Sequence, residues 1–324
     1  MRNIGIHYPA RGEMAFYDLG SPPNPGPTEL LIKTRYSGIT NGTERHAFLA
    51  EHLWSEFPSR HGYQHVGQVE DLGNRVEGFQ QGDWVFFGRY VGHRGWNIQD
   101  VAHAEPREYS SHLCIRIPDG LNPKYCALLG VAGVSMRGMR RCRVSAAQKV
   151  WVAGAGLIGQ FAAQAARALG AHVTVTDIND KRLAVARELG AHRVLSASDS
   201  NYMSDLKAAG PYDCIVDACG LETLFLDIWE SNLLAKGGVI CALAVRTKTV
   251  FHWSMLHGLE ASIEVSCHFS LDDLRILLHF LQLGIIRIEP LVSHVVPIDE
   301  APTIYRTLRD RPAELLGVLF DWSE

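Results

Sequence analysis

The sequence predicts an α/β protein in which antiparallel β-structure precedes a parallel sheet covered by helices. Three observations carry this prediction: the composition, the turn residues of the first third, and a change to alternating strands and helices after Lys149. The 324 residues are 47% hydrophobic and 20% charged, which is typical of a globular protein with a sizeable core. This length suggests two domains.

The first third alternates short apolar runs with turn residues. The apolar runs include residues 30–37, 65–73 and 83–87, and segments rich in Gly, Pro, Asn and Asp separate them. Apolar runs separated by such turn residues are typical of antiparallel strands joined by tight turns. We therefore assign residues 1–122 to a first domain of antiparallel β-structure.

Six near-continuous apolar runs follow Lys149 and predict strands at residues 150–155, 172–177, 193–195, 213–218, 239–245 and 262–267. Helices are predicted at residues 157–169 and 180–189. Runs without a polar face belong to a parallel sheet buried on both sides, and we assign residues 123–268 to this domain. Because Pro and β signals return near the end of the chain, around one short helix at 300–309, we expect residues 269–324 to rejoin the first domain.

Charge and cysteine content exclude several classes of protein. The net charge is −4 and no basic run is present, so we expect no nucleic-acid partner. No run of about 18 apolar residues and no signal peptide is found, so we expect a cytoplasmic protein with no membrane segment. The seven cysteines are odd in number and none are spaced as Cys-x-x-Cys, which favours buried free thiols in a reducing compartment.

A glycine-rich turn follows the first strand of the second domain and opens its first helix. In this turn Gly154 allows the tight bend, Gly156 lets the backbone approach a pyrophosphate, and Gly159 lets the helix pack on the strand. Leu157 and Ile158 belong to the helix N-terminus, which faces the anion. The pattern predicts a dinucleotide-binding site.

The next strand ends in Asp177, 18 residues after Gly159. A carboxylate there accepts both ribose hydroxyls of NAD and repels the 2′-phosphate of NADP, so we predict NAD as the cofactor. Ile178 follows in the same site, and we place Arg182 over the adenine side.

The nicotinamide half of the cofactor should meet the ends of the fourth and fifth strands, because ligands bind beyond the carboxyl ends of parallel strands. These ends carry Ala218, Cys219 and Gly220, and then Ala242, Leu243 and Ala244. Cys219 is either a nucleophile or, as we prefer, a small buried thiol.

Taken together, these residues resemble the medium-chain dehydrogenase/reductase superfamily, the group of the zinc alcohol dehydrogenases and quinone reductases. The glycines and valines between Gly62 and Val85 resemble its β-barrel signature, and YDCIVDACG and PLVSHVVPIDEAPTIYRTL resemble later landmarks. The resemblance implies a GroES-like β-barrel catalytic domain and an inserted Rossmann domain with a doubly wound, six-stranded parallel sheet. It also implies a small-molecule substrate and a homodimer paired through the last Rossmann strand, near residues 262–267.

The departures from this family concern its catalytic zinc. The family's Gly-Ile-Cys-Gly turn reads Gly38-Ile39-Thr40-Asn41 here, its Gly-His-Glu reads Gly62-Tyr63-Gln64, and its third ligand position falls near Val131. Zinc needs thiolate, imidazole or carboxylate ligands, and these positions have none. The cysteines of the structural zinc are also missing, so we predict no metal. Histidines elsewhere are the alternative metal ligands: His61, His65, His93, His103 and His112.

Two short motifs, SGITNGTE and HGYQHVGQV, resemble the branch of the bacteriochlorophyllide (hydroxyethyl-group) dehydrogenases. This resemblance implies oxidation or reduction at a secondary alcohol or ketone without zinc, on a substrate that need not be a tetrapyrrole. Hydride transfer without a metal needs a base for the hydroxyl proton and a donor for the developing alkoxide.

Four residues are candidates for this catalytic work. Tyr63 stands at a lost ligand position, so its hydroxyl should point at the hydride-transfer zone, unless the ring only packs. His65 lies on the same strand face, and a near-neutral pKa would suit it to proton shuttling, unless it is a core histidine. His93 lies in a Gly-rich segment, residues 88–96, that suits a substrate loop. Thr40 completes the set.

Four further residues are candidates for substrate binding. Asn41 and Glu44 lie on a predicted turn at residues 40–44, and Arg94 and Trp96 lie in the segment 88–96. For Glu44 we prefer the alternative of a solvated surface charge.

The sequence thus favours an NAD-dependent oxidoreductase that interconverts a secondary alcohol and a ketone without zinc. One alternative is a reductase of an enone or quinone, against which Asp177 weighs because such relatives resemble NADPH users. The other is a catalytically silent NAD(H)-binding sensor or scaffold.

Overall fold

A computed structural model of the chain describes residues 3–51, 55–102, 113–246 and 248–323. These residues form an α/β structure, as predicted, and the chain divides into two compact units. The first unit comprises Met1–Gly130, Phe269–Gln282 and Ile288–Glu324, and the second comprises Val131–His268 and Leu283–Arg287. The first unit therefore takes its residues from both ends of the chain.

The strands and helices are numbered here in chain order. The strands are β1 (Ile4–His7), β2 (Ala15–Asp18), β3 (Glu29–Gly38), β4 (His65–Leu72), β5 (Trp84–Phe87), β6 (Trp96–Asp100), β7 (Cys114–Arg116), β8 (Lys149–Ala153), β9 (His172–Asp177), β10 (Arg193–Ser196), β11 (Tyr212–Asp217), β12 (Leu234–Ala242), β13 (Ser262–Val265), β14 (Val292–Pro297) and β15 (Gly317–Asp321). The helices are α1 (Asn41–Phe48), α2 (Pro123–Cys126), α3 (Leu129–Arg141), α4 (Leu157–Ala168), α5 (Asp180–Glu188), α6 (Tyr202–Ala209), α7 (Leu224–Glu230), α8 (Trp253–Leu259), α9 (Leu271–Gln282) and α10 (Ala301–Asp310). Short 3₁₀ helices occur at Glu289–Leu291, Ile298–Glu300 and Pro312–Glu314.

The second unit is built on a six-stranded sheet in the order β10-β9-β8-β11-β12-β13, with every pairing parallel. Its central strands β8 and β11 are almost fully buried, which accounts for their unbroken apolar sequence. The chain order reverses between β8 and β11, which makes this position the switch point of a doubly wound sheet. The predicted six-stranded parallel sheet is confirmed.

The fifth strand of this sheet differs from its predicted bounds. It begins at Leu234 and ends at Ala242, whereas apolar residues continue to Val245. The reason is that the next two amides, of Leu243 and Ala244, both donate to the carbonyl oxygen of Asp217. A ladder cannot continue when two successive amides share one acceptor.

The first unit contains a second sheet in the order β14-β15-β3-β4-β5-β7, with β6 paired to β3. The C-terminal strand β15 pairs with β3 in antiparallel register. One hydrophobic core of this unit joins the two ends of the chain, because Tyr8 and Phe48 pack in the same cluster as Tyr305 and Trp322. Among the described residues, no helix is long and apolar enough to cross a membrane.

The predicted turn at residues 40–44 is wrong, because helix α1 begins at Asn41. The Glu44 carboxylate accepts the N–H of Thr40 at 2.8 Å, which satisfies an amide just ahead of the helix. All seven cysteines are free, but only five are buried, whereas Cys219 and Cys267 are exposed.

Candidate functional site

The glycine-rich turn between β8 and α4 forms an open cradle in the second unit. Gly154 has a φ of +103°, a conformation that favours glycine, and its N–H donates to the carbonyl of Thr176 at 2.8 Å. A side chain at Gly159 would collide with the carbonyl oxygen of Gly154, so only glycine lets α4 start there. A Cβ at Gly156 would meet nothing within 4 Å, which leaves the N-terminus of α4, at Leu157 and Ile158, open to a ligand.

Asp177 is anchored on this turn by both of its carboxylate oxygens. Oδ2 accepts the N–H of Ala155 at 2.6 Å, and Oδ1 accepts the N–H of Asn179 at 2.8 Å. Each oxygen keeps a second lone pair, so ribose hydroxyls can still donate to it. Ile178 is 75% exposed beside it, and Arg182 lies in the first turn of α5, which Asn179 caps.

An ion pair joins the end of β11 to the segment that follows β12. Asp217 is fully buried and its Oδ2 accepts from the guanidinium of Arg246, while its Oδ1 accepts the N–H of Gly220 at 3.0 Å. Its carbonyl oxygen holds the amides of Leu243 and Ala244, at 3.2 and 3.0 Å. Burial raises the pKa of the Asp217 carboxyl, and the hydrogen bond from Gly220 and the charge of Arg246 limit the rise. These bonds fix both segments predicted to meet the nicotinamide half.

Cys219 lies in the segment that follows β11, and its environment differs from the buried one that we predicted. Its residue is exposed, not buried, but its sulfur turns back toward the Asp217 carboxylate, with Sγ 3.8 Å from Oδ1. Desolvation, followed by the charge of Asp217, raises the pKa of the Cys219 thiol to about 11. At neutral pH Cys219 is therefore a protonated thiol and not an activated nucleophile.

In the first unit, a hydrogen bond joins Thr40, at one of the family's zinc-ligand positions, to Gln64, which follows Tyr63 at another. The fully buried Gln64 donates from Nε2 to Thr40 Oγ1 at 3.1 Å and to the carbonyl of Gly38 at 3.3 Å. A Cβ at Gly130 would lie less than 3 Å from Gln64 and from the ring of Tyr63, so both side chains pack against this glycine. A hydroxyl, a primary amide and a phenol are not the ligands zinc selects, and these residues do not fit a catalytic zinc.

Tyr63 is held among aromatic rings and is only 4% exposed. Its ring centroid lies 4.8 Å from that of Tyr90 and 6.2 Å from that of Phe269. Within the described ranges, no group of three or more His, Cys, Asp or Glu side chains is arranged to hold a metal ion. His103 and His112 lie outside the described residues.

Glu44 and His93 form a buried pair next to this cluster. His93 Nε2 lies 3.1 Å from Glu44 Oε2, and the hydroxyl of Tyr305 donates to the same oxygen at 2.7 Å. Burial alone would raise the pKa of Glu44, but the charge and hydrogen bond of His93, with those from Thr40 and Tyr305, lower it below its usual value. The preferred interpretation of Glu44 as a solvated charge is therefore wrong, because this carboxylate is 1% exposed and has three protein donors.

The ring of His93 supports the backbone that leads to Tyr63. A Cβ at Gly62 would lie 2.7 Å from His93 Cδ2, so the ring fills the space next to this glycine. The second ring nitrogen, Nδ1, lies 2.8 Å from Ser37 Oγ, which also accepts from the indole N–H of Trp322. Both nitrogens of His93 therefore bind protein partners.

His65 is a core histidine in this structure. It is fully buried, its Nε2 donates to the carbonyl of Gly92 at 3.1 Å, and its ring stacks on Phe87 at 4.9 Å. Burial, followed by the charge of His93, lowers the pKa of His65 well below its usual value. The prediction that His65 has a near-neutral pKa, as a proton shuttle needs, is therefore wrong. Its Nδ1 has no hydrogen-bond partner in the described part of the chain.

The remaining candidates for substrate binding take no part in the hydrogen bonds around Glu44 and His93. Asn41 donates to the carbonyl of Leu316 at 2.8 Å and so ties α1 to the C-terminal segment. Trp96 begins β6, with the Lys33 ammonium 5.5 Å above its ring. Arg94 is partly buried, and burial lowers the pKa of its guanidinium.

Sequence reasoning missed several residues that hold the site together. Arg246 could have been found from the sequence, because it directly follows the apolar run 239–245, and charged residues beyond the carboxyl end of a parallel strand often face a ligand. Ser37, Tyr305 and Trp322 had none, because they meet His93 and Glu44 from distant parts of the chain.

Comparisons with known proteins agree with this architecture. The chain matches the family model of the alcohol dehydrogenase GroES-like domain over residues 26–166 and that of the zinc-binding dehydrogenase over residues 158–282. It is 26% identical to an L-threonine 3-dehydrogenase of Alteromonas mediterranea, over 97% of this chain and 98% of that protein.

Two solved structures share the fold over nearly the whole chain. An alcohol dehydrogenase from Escherichia coli CFT073, complexed with NADH, superposes with a TM-score of 0.85 at 17% identity and 99% coverage of both chains. A putative zinc-binding dehydrogenase from Sinorhizobium meliloti 1021, bound to NADP, superposes with a TM-score of 0.83 at 20% identity, also covering 99% of each chain. With both family models matched in succession, the chain belongs to the medium-chain dehydrogenase/reductase superfamily.

Proposed function

We propose that this protein is an NAD-dependent oxidoreductase that interconverts a secondary alcohol and a ketone by hydride transfer without a catalytic zinc. The observation that carries the proposal is Asp177, whose carboxylate is fixed by Ala155 and Asn179 with lone pairs left for a ribose. A carboxylate at this position repels the 2′-phosphate of NADP, so we prefer NAD. NAD, when bound, supplies the hydride acceptor.

The absence of suitable zinc ligands supports a metal-free reaction. Thr40, Tyr63 and, approximately, Val131 stand where zinc-dependent relatives place their ligands, and Gln64, next to Tyr63, is committed to Thr40 by a hydrogen bond. Metal-free members must stabilise the developing alkoxide by hydrogen bonding instead.

We assign this hydrogen bonding to Tyr63 and Thr40. The Tyr63 hydroxyl donates to the substrate oxygen and delivers the proton when the ketone becomes an alcohol, and Thr40 orients the same oxygen. We assign His93 and Glu44 as positioning residues, because their polar atoms bind protein groups and their contacts fix Gly62 and Thr40. Asn41, Arg94 and Trp96 remain candidates for the outer part of the substrate.

The relative named L-threonine 3-dehydrogenase supports the substrate class. Carbon 3 of threonine carries a secondary hydroxyl, and oxidation of that carbon yields a ketone. We propose the same class of group, a secondary alcohol and its ketone, for this protein. We further propose a cytoplasmic homodimer formed through strand β13.

The test combines metal analysis with a substrate screen. Protein purified without chelator or added zinc is analysed by inductively coupled plasma mass spectrometry and assayed with NADH against sugar-like and ring ketones. We expect no stoichiometric metal and NADH oxidation with at least one ketone. About one zinc per chain, or tight NADH binding without hydride exchange with any carbonyl, would overturn the proposal.

A pair of matched variants tests Tyr63 in the same assay. Tyr63→Phe should lower turnover roughly 100-fold or more, which is the usual contribution of a proton-transferring side chain. Tyr36→Phe removes the same atom from strand β3 and should leave turnover unchanged. Equal turnover in Tyr63→Phe and the unmodified enzyme would remove Tyr63 from the mechanism.

A further inference from the structure

Three free cysteines of the second unit converge at one point, away from the cofactor cradle. Cys142 directly follows α3, Cys214 lies in β11 and Cys241 lies in β12. Cys142 interacts with the thiols of both Cys214 and Cys241, and these two interactions are the main influences that lower the pKa of its own thiol. Isolated buried cysteines behave as small apolar residues, but a thiol that interacts with two others can react with one of them.

The strand register shows which of the two partners lies level with Cys142. A Cβ at Gly138 would lie 3.0 Å from Cys241 Sγ, so Gly138 of α3 packs directly over Cys241. Cys142 is one helical turn further along, a rise of about 6 Å. Because α3 leads directly into the start of β8, it runs antiparallel to the strands, and the same distance back along β12, two residues, leads from Cys241 to Val239, which pairs with Cys214. Cys142 therefore lies beside Cys214.

The neighbouring thiols of Cys142 favour its thiolate. Cys142 stands between Arg141 and Arg143, but Arg141 is paired with Glu264 at 3.0 Å, and the charge of Glu264 raises the pKa of Cys142 more than the charge of Arg141 lowers it. Hydrogen bonds from Cys214 and then from Cys241 lower the pKa of the Cys142 thiol, and they outweigh the opposing effect of burial. The same hydrogen bonds raise the pKa of Cys214 and of Cys241, so these two remain thiol donors.

Exposure distinguishes the three sulfurs as well. Cys142 is 8% exposed at the end of its helix, whereas Cys214 is 1% exposed and Cys241 is fully buried. A small oxidant therefore reaches Cys142 first. A low-pKa thiol at the edge of the core, with a more deeply buried thiol behind it, is the arrangement of a redox-sensitive cysteine pair.

We propose that Cys142 and Cys214 form a thiol pair that hydrogen peroxide oxidises to a disulfide. The Cys142 thiolate attacks one peroxide oxygen, the O–O bond breaks, and the departing hydroxide takes up a proton to become water. The resulting Cys142 sulfenic acid is attacked by the sulfur of Cys214, which loses its proton. The S–S bond forms and the sulfenic oxygen leaves as a second water. Two thiols are oxidised, and one peroxide is reduced to two waters.

The experiment treats the full-length reduced protein with equimolar hydrogen peroxide, blocks remaining thiols, and maps the unreduced digest by mass spectrometry. We expect a peptide pair joined through Cys142 and Cys214 that dithiothreitol separates. The exposed thiol of Cys219, whose pKa is raised to about 11, is the internal reference and should react at least about 10-fold more slowly. Faster oxidation of Cys219 than of Cys142 would show that exposure alone controls reactivity, and would overturn the proposal.

Three serine variants separate the roles, with circular dichroism and thermal unfolding to establish that each one folds. Cys241→Ser is the matched control and should still form the disulfide. Cys214→Ser should stop at the Cys142 sulfenic acid, which dimedone captures, and Cys142→Ser should give neither product. A disulfide to Cys241 in the unmodified protein, a disulfide in Cys142→Ser, or a metal ion retained by the three thiols would contradict the assignment.

Discussion

At the residue scale, two carboxylates show how position decides the role of one chemical group. Asp177 is partly exposed and keeps acceptor capacity for a ligand, although backbone amides hold both of its oxygens. Glu44 is 1% exposed, so no ligand reaches it, and it accepts from three protein groups, on Thr40, His93 and Tyr305. The first is therefore suited to binding a cofactor, and the second to holding other residues in place.

Replacement of Asp177 tests its part in cofactor selection. Asp177→Ala should weaken NADH binding roughly 10-fold or more, because charge-assisted hydrogen bonds to the ribose are lost. NADPH binding should weaken less, since the repulsion of its 2′-phosphate is removed as well. Fluorescence titration with both nucleotides measures the change, and Asp180→Ala, on the first residue of α5, is the control. Equal affinity of the unmodified protein for NADH and NADPH would contradict the assignment.

The buried Glu44 should make the stability of the protein sensitive to acid. Since the folded state lowers the pKa of Glu44, its contribution is present above the unfolded value of about 4.5 and is lost as pH falls through the lower, folded value. Glu44→Gln should cost about 3 kcal/mol at neutral pH, because it leaves His93 without its buried partner.

Urea unfolding near pH 7 and near pH 3 measures this effect. The difference between Glu44→Gln and the unmodified protein should shrink at the lower pH. Glu51→Gln, which removes the exposed partner of Arg45, is the control and should change stability by less than about 1 kcal/mol at either pH. A difference that is the same at both pH values would show that the charge of Glu44 does not contribute.

At the element scale, the β8–α4 turn contains two glycines that are needed for different reasons, one for packing and one for access of a ligand. Gly159 lies where α4 crosses the carbonyl of Gly154, so its missing side chain serves the packing of the unit itself. Gly156 faces open space and has a φ of −67°, which any residue adopts. Its missing side chain therefore serves only an approaching ligand.

A matched pair of alanine variants tests this difference. Gly156→Ala should leave thermal stability within about 0.5 kcal/mol, as usual for an unhindered surface site, and weaken NADH binding roughly 10-fold or more. Gly159→Ala should lower stability and cofactor binding together, because the turn and α4 must move. Thermal unfolding and NADH titration on both proteins give the comparison. Full NADH affinity in Gly156→Ala would show that no cofactor approaches the backbone there.

Helix α1 shows why short polar elements escape sequence analysis. Residues 40–44 contain Thr, Asn and Gly, which are typical of turns, and the apolar signal of α1 is weak. The helix forms because the Glu44 carboxylate accepts the amide of Thr40 and because Ala47 and Phe48 reach the core. Tertiary packing therefore overrides local propensity at this element.

At the scale of the whole molecule, strand β13 ends the six-stranded sheet on the side of β12. Val265 is 64% exposed on this strand. An unpaired edge is a template for pairing with a second copy, and a two-fold axis perpendicular to the strand would join two sheets into one by antiparallel pairing. This edge is the basis of the proposed homodimer.

Analytical ultracentrifugation at micromolar concentration tests the dimer. We expect twice the mass of one chain for the unmodified protein, and the mass of one chain for Val265→Lys, which places a charge in the proposed interface. Val295→Lys, on strand β14 of the other sheet and 41% exposed, is the matched control and should stay dimeric. A monomeric mass for the unmodified protein would refute the dimer.

The sequence by itself determined the parallel sheet, the glycine turn and the carboxylate at the end of β9. Each of these depends on residues close in the chain: an apolar run, a spacing of glycines, and an acidic residue at a strand end. Such signals are readable because strand period, tight turns and helix starts are local properties of the backbone.

Only the tertiary structure decided what the polar residues of the first unit do. Glu44, His93 and Tyr305 come from three distant segments of the chain and meet in the interior of the unit. We expected Glu44 to be a surface charge and His93 to be an acid/base, but the two form a buried pair. Gln64 is placed against Thr40, and Arg246 against Asp217, in the same manner. Burial and partner identity set the charge and pKa of these groups, and both depend on contacts that spacing along the chain does not encode.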